Sequence, residues 1–111
     1  MAAVESAEQL LQELVQRFNG RQTPAAVEPA CLQIRVLGER GGSWVVQLGQ
    51  DGRASLATGE AERPDVTVEV SAEDLQALAS GRLSAGAAFL SGRLRVAGNL
   101  GLLLRLRPLL G

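Results

Sequence analysis

A chain of 111 residues, 46% hydrophobic and 21% charged, is composed like a globular protein and has length for one core, so residues 1–111 are expected to form one domain. A formal net charge of −1, with no basic run interleaved with aromatics, gives no reason to expect a nucleic-acid partner. The absence of histidine removes the commonest general base, and a single cysteine, Cys31, rules out an internal disulfide and any cysteine cluster for a metal.

The N-terminus is acidic and lacks an apolar run of signal-peptide length, and Leu109-Leu110-Gly111 matches no targeting tripeptide; the expected location is cytoplasmic. Ser6 and Gln9 have the spacing of a capping box. Leu10, Leu11, Leu14, Val15 and Phe18 follow at helical spacing, and Asn19-Gly20 is the predicted stop. Thr23 to Pro29 reads as a connector. Leu32, Ile34 and Val36 then alternate with Gln33 and Arg35, the pattern of a strand with one buried face. After a turn at Glu39–Gly42, Trp44, Val46 and Leu48 share one strand face, opposite Val45 and Gln47. Gln50-Asp51-Gly52 is a tight turn, and Arg53–Thr58 a weaker third strand, completing an antiparallel meander.

Thr58 to Pro64 is a polar connection. Asp65–Val70 forms a fourth strand with Val66, Val68 and Val70 inward. Ser71 caps a helix with Glu73 and Asp74 in its first turn, where acids favour the helix dipole. Leu75, Leu78 and Ala79 give its buried side, and Gly81 ends it. Ser84 caps a short helix reaching Leu90. Arg93–Ala97 is a fifth strand, with Leu94 and Val96 on one face. This order of elements predicts an α+β fold, a five-stranded, mostly antiparallel sheet with helices packed on one face.

A closing helix is expected from Asn99 to Pro108. It carries leucine at 100, 102, 103, 104 and 106, with Arg105 and Arg107 as charged interruptions, and leucines 109 and 110 follow. So many leucines cover more of the circumference than a one-sided stripe. At about 11 residues, or about 17 Å, the segment is too short to span a bilayer. Its leucines fit the closing of a core, a dimer seam or contact with lipid. From Gly81 to Gly111 there are five arginines and no acid, a basic rim that suits either solvent or an anionic membrane surface.

The C-terminal half closely resembles the sterol carrier protein 2 (SCP-2-like, non-specific lipid-transfer) family. The resemblance rests on Pro64-Asp65, Ser71, Asp74-Leu75, Gly81-Arg82-Leu83, Ala88-Phe89, Gly92-Arg93-Leu94, Val96 and Gly98-Asn99-Leu100. It covers residues 31–110 in the order of elements and 64–106 in residue detail. It implies an apolar tunnel between the sheet and the C-terminal helices, holding fatty acids, acyl-CoA, phospholipids or sterol-like lipids without catalysis and without a cofactor. The lining it implies is Leu75, Leu78, Leu83, Phe89, Leu90, Leu94, Val96, Leu100, Leu103 and Leu104, with Trp44 and Val46 contributing from the sheet. Arginine stands at 82, 93 and 95, where lysine is common in the family, and the peroxisomal tail of eukaryotic members is absent. The first thirty residues match only as a generic amphipathic helix.

The partners implied are a lipid or fatty acyl ligand, transient contact with a membrane and, if the leucines form a seam, a second copy of the chain. The rival reading is an accessory module that presents lipid to, or dimerises for, a separate enzyme in quinone or lipid metabolism. An enzyme in its own right is disfavoured, because Glu73 and Asp74 are accounted for as first-turn helix residues.

Overall fold

The computed structural model describes residues 6–21, 29–99 and 101. Its elements follow the order α1 (Ala7–Arg21), β1 (Ala30–Leu37), β2 (Gly42–Leu48), β3 (Ala54–Thr58), β4 (Val66–Ser71), α2 (Ala72–Ala79), α3 (Ala85–Leu90) and β5 (Leu94–Gly98). The strands form one sheet in the order β3-β2-β1-β4-β5. Neighbouring pairs run antiparallel except β1 and β4, which are parallel. The expected α+β architecture is therefore the observed one. The parallel seam arises because the chain leaves β3 at one edge and crosses two strands before β4 begins.

One face of the sheet carries the core. Leu32, Ile34 and Val36 of β1, Val66, Val68 and Val70 of β4, and Leu94 of β5 are all buried there. The alternation of apolar and polar residues selects that face, since successive side chains of a strand point to opposite sides. Leu10, Leu11, Leu14, Val15 and Phe18 of α1 are buried with Leu75, Leu78 and Ala79 of α2.

Local hydrogen bonds set the helix ends. Ser6 N donates to Gln9 Oε1 at 3.1 Å while Gln9 N donates to Ser6 Oγ at 3.2 Å, the reciprocal capping box read from sequence. Ser71 Oγ accepts from Asp74 N, and Ser84 Oγ from Ala87 N, each at 3.1 Å. The sequence Ser-Gly-Arg-Leu occurs twice, at 80–83 and 91–94, and stops a helix in the same way each time. Arg82 N donates to Ala77 O and Arg93 N to Ala88 O, both at 2.9 Å, while Gly81 N and Gly92 N reach Leu78 O and Phe89 O at 3.2 Å. This Schellman closure needs a left-handed residue, which Gly81 (φ +79°) and Gly92 (φ +78°) supply at no steric cost.

Asn19-Gly20 does not end the first helix, which runs on to Arg21. The Asn19 amide serves another purpose: its Nδ2 donates to Ala54 O at 2.9 Å and its Oδ1 accepts from Ala54 N at 2.7 Å. Both backbone groups of an edge-strand residue are thereby tied to α1. Arg17 Nη1 likewise donates to Ala79 O at 2.8 Å, joining α1 to the last turn of α2. Asn19→Ala strands both groups of Ala54 and should cost about 1–2 kcal/mol. A thermal melt, together with faster amide exchange at Ala54, checks it; an unchanged melting temperature would show that water replaces the amide without loss.

Gln33 is a second departure. Alternation predicts it on the open side of the sheet beside Arg35, yet it is buried, with 1% of its surface exposed. The connection from β3 to β4 crosses that side, and Gln33 pins it. Its Nε2 donates to Trp44 O (3.1 Å) and Gly59 O (3.2 Å), and its Oε1 accepts from Ala61 N (2.7 Å). Val45, its partner across the β1–β2 ladder, is buried as well. The connection ends at Asp65, whose N donates to Cys31 O at 2.9 Å and whose Oδ2 accepts from Cys31 N at 2.8 Å.

Candidate functional site

The two longer helices face the apolar side of the sheet and enclose a cavity. α1 lines it with Leu11, Leu14 and Val15, and α2 with Leu75 and Leu78. The sheet contributes Ile34, Val46, Val68, Val70 and Leu94. Every lining side chain among the described residues is aliphatic. Helical spacing places the α1 and α2 residues on facing stripes, and strand alternation places the five sheet residues on the floor.

The free volume is about 10 Å³, the room of a single water, and the walls offer such a water no hydrogen-bond partner. That volume is far too small for a long acyl chain, which would require the helices to draw back from the sheet or the side chains to repack. An aliphatic wall suits that change, since it confronts a flexible apolar chain without stranding a polar group.

Val46, Leu75, Leu78 and Leu94 are thus brought together around the cavity. Trp44 is buried beside it: it lies opposite Ile34 in the ladder and two residues from Val46 on the same face. Leu83 and Val96 are partly buried against the same core. Phe89 and Leu90 lie elsewhere, with 47% and 86% of their surface exposed at the end of α3, and neither lines the cavity. Helix α3 turns only Ala88 fully inward. Leu100, Leu103 and Leu104, and with them the closing helix apart from Asn99 and Gly101, fall outside the described residues.

The wall supplied by α1 was not assigned to the site from sequence. Leu11, Leu14 and Val15 appear there as one apolar stripe, which marks a buried helix face without saying what it faces. Ile34, Val68 and Val70 fit strand core by alternation for the same reason.

None of the described residues that line the cavity carries a titratable group. The free thiol of Cys31 lies at the start of β1, and partial burial, with the Asp65 carboxylate beside it, raises its pKa. Both effects disfavour the thiolate, so this cysteine is a poor nucleophile. Among the described residues no group of three or more His, Cys, Asp or Glu is placed to hold a metal ion. The basic rim read from sequence is tempered in three dimensions, because Glu69 of β4 stands in register between Arg35 of β1 and Arg95 of β5. No helix of the described residues is long and apolar enough to cross a membrane.

Comparisons with known proteins agree with this architecture. The chain is 35% identical over 82 residues to hydroxysteroid dehydrogenase-like protein 2 of Rattus norvegicus, a match covering 73% of the chain and 16% of the relative. It is 33% identical over 72 residues to sterol carrier protein 2 of the same organism, covering 65% of the chain and 13% of that protein. The chain therefore spans less than a fifth of the length of these relatives. Among solved structures, palmitated SCP2L2 of Aedes aegypti superposes with a TM-score of 0.77 at 25% identity, over 96% of this chain and 95% of that one. The model of the SCP-2 sterol transfer family matches residues 3–111, nearly the whole sequence, and the chain belongs to that family.

Proposed function

We propose that the chain is a non-catalytic lipid carrier that takes a fatty acid, acyl-CoA, phospholipid or sterol-like lipid between its helices and its sheet. The observation that carries this reading is the cavity between α1, α2 and the sheet, lined among the described residues by aliphatic side chains alone. The structural likeness to a palmitated protein supports it.

Burying each methylene contributes roughly 0.8 kcal/mol, so a sixteen-carbon chain gains about 12 kcal/mol before the cost of ordering it and opening the cavity. Few polar groups converge on such a chain, so selectivity among acyl lipids of similar length is low. The proposed contacts are Trp44, Val46, Leu75, Leu78, Leu83, Leu94, Val96, Leu100, Leu103 and Leu104, joined by Leu11, Leu14 and Val15 of α1; Phe89 and Leu90, exposed at the end of α3, are left out. The place of work is the cytoplasm. Exposed Arg82, Arg93 and Arg95 give it a means of transient contact with a membrane.

Native mass spectrometry of the purified protein tests the reading. A bound mass in the fatty-acid or phospholipid range, released on denaturation, is expected. A bare chain that takes up no added palmitate would overturn it.

A second reading, a module that presents lipid to an enzyme or dimerises for it, is favoured by the small fraction of the dehydrogenase-like relative that this chain spans. It predicts that Leu103→Glu shifts a dimer to a monomer on a sizing column, whereas the carrier reading predicts that this change abolishes lipid uptake by a folded protein.

A further inference from the structure

Among the described residues a single buried side-chain polar atom lacks a hydrogen-bond partner, the indole Nε1 of Trp44. Only 8% of the Trp44 surface is exposed, so the donor is shut off from solvent as well. An unmet buried donor is unfavourable, and buried tryptophan N–H groups ordinarily find an acceptor. Its place in the sheet points to one. Ile34, directly opposite in the β1–β2 ladder, and Val46, two residues along the same face, both line the apolar cavity. The far end of the indole lies over Gly42, where a Cβ would come within 2.9 Å of Cη2 and 3.2 Å of Cζ3. A side chain at position 42 would push the ring aside, so Gly42 sets where the indole rests. Among the described residues the cavity walls carry no side-chain donor of their own, and Trp44 brings one to the same face of the sheet.

We infer that Trp44 Nε1 is the hydrogen-bond donor for the polar end of the lipid held in the cavity. The ligand class that satisfies it is a long-chain lipid ending in an acceptor oxygen, as a carboxylate, ester or alcohol has, in preference to a bare hydrocarbon. An indole N–H donates and does not accept, so it selects for acceptors alone. This assignment rests on the lipid-carrier reading and adds the group that orients the cargo. Displacing the side chains that close the cavity uncovers the floor beside Ile34 and Val46, and with it the indole.

The chain has one tryptophan, so its indole gives one isolated cross-peak in a nitrogen–proton spectrum. The full chain, labelled with nitrogen-15, is titrated with palmitic acid and separately with hexadecane. Palmitic acid should move the indole proton downfield as it gains an acceptor, and hexadecane should leave it near its free position. In parallel, Trp44→Phe keeps most of the ring volume and removes the N–H. It should weaken palmitic acid by roughly tenfold, the worth of one hydrogen bond, and hexadecane by about twofold or less. An indole proton that stays in place when palmitic acid binds overturns the assignment, whatever becomes of the variant. Equal weakening of both ligands by Trp44→Phe also overturns it and leaves the carrier reading intact. If neither ligand enters the parent protein, both readings fall together.

Discussion

Gln33→Met should lower the unfolding free energy by about 3 kcal/mol, although it preserves most of the side-chain volume. The glutamine is fully buried and makes three hydrogen bonds, to Trp44 O, Gly59 O and Ala61 N. Replacing it by an apolar residue leaves those three backbone groups under a covered part of the sheet, and each buried group without a partner costs roughly 1–3 kcal/mol. Partial relief by water entering under the connection keeps the total below the simple sum. For a chain of this size the change corresponds to a fall in melting temperature of roughly 10–15 °C. Urea unfolding measures it, and hydrogen exchange at Ala61 reports the freed connection directly. A loss under about 1 kcal/mol would mean that the connection holds itself over the sheet without the glutamine.

Leu78→Ala should move stability and affinity in opposite directions. Leu78 is buried on α2 and lines the cavity. Truncating a core leucine costs roughly 2.7–5 kcal/mol, depending on how far the site collapses. The same truncation removes one of the side chains that must yield before a lipid enters. A binding-competent state that is rarely populated weakens apparent affinity in proportion, so a variant that is already open should bind palmitate several-fold tighter than the parent. Saturating palmitate should then raise its melting temperature by more than it raises the parent's, because ligand bound only to the folded state stabilises by mass action. A thermal melt with and without palmitate, beside a direct titration, gives both numbers. Weaker binding by Leu78→Ala would show that the side chain is needed as a contact and does not act as a barrier.

Both effects depend on features that differ in how openly the sequence displays them. The caps at Ser6, Ser71 and Ser84 and the stop at Gly81 were legible because each is settled within five residues of chain. The strand faces of β1, β4 and β5 were legible from alternation alone. The burial of Gln33 was not, because it depends on a connection 26 residues away passing over that part of the sheet. Asn19 looks like a helix stop for the same reason: its partner Ala54 is 35 residues distant. At the candidate site, four of the sheet and helix residues expected from family resemblance surround the cavity. The α1 wall was out of reach, since a stripe of leucines names a buried face and leaves its neighbour unspecified. Phe89 and Leu90 illustrate the converse, apolar residues in a family-like motif whose helix turns Ala88 inward and leaves them outside.

The parallel seam between β1 and β4 bears on how the chain assembles. β1, β2 and β3 are linked by short turns, and their pairing closes small loops, an event of microseconds. The β1–β4 pairing instead joins Leu32 to Val66 and Val36 to Val70, with the whole meander between them. That larger loop must be closed before the central ladder repays its entropy, and folding slows as contacts become more distant along the chain. During synthesis the meander therefore emerges first, with the β1 edge unsatisfied until β4 has been made. The polar connection that Gln33 later holds down leads directly into β4, so the segment that delays the seam is also the one that brings its missing strand into register.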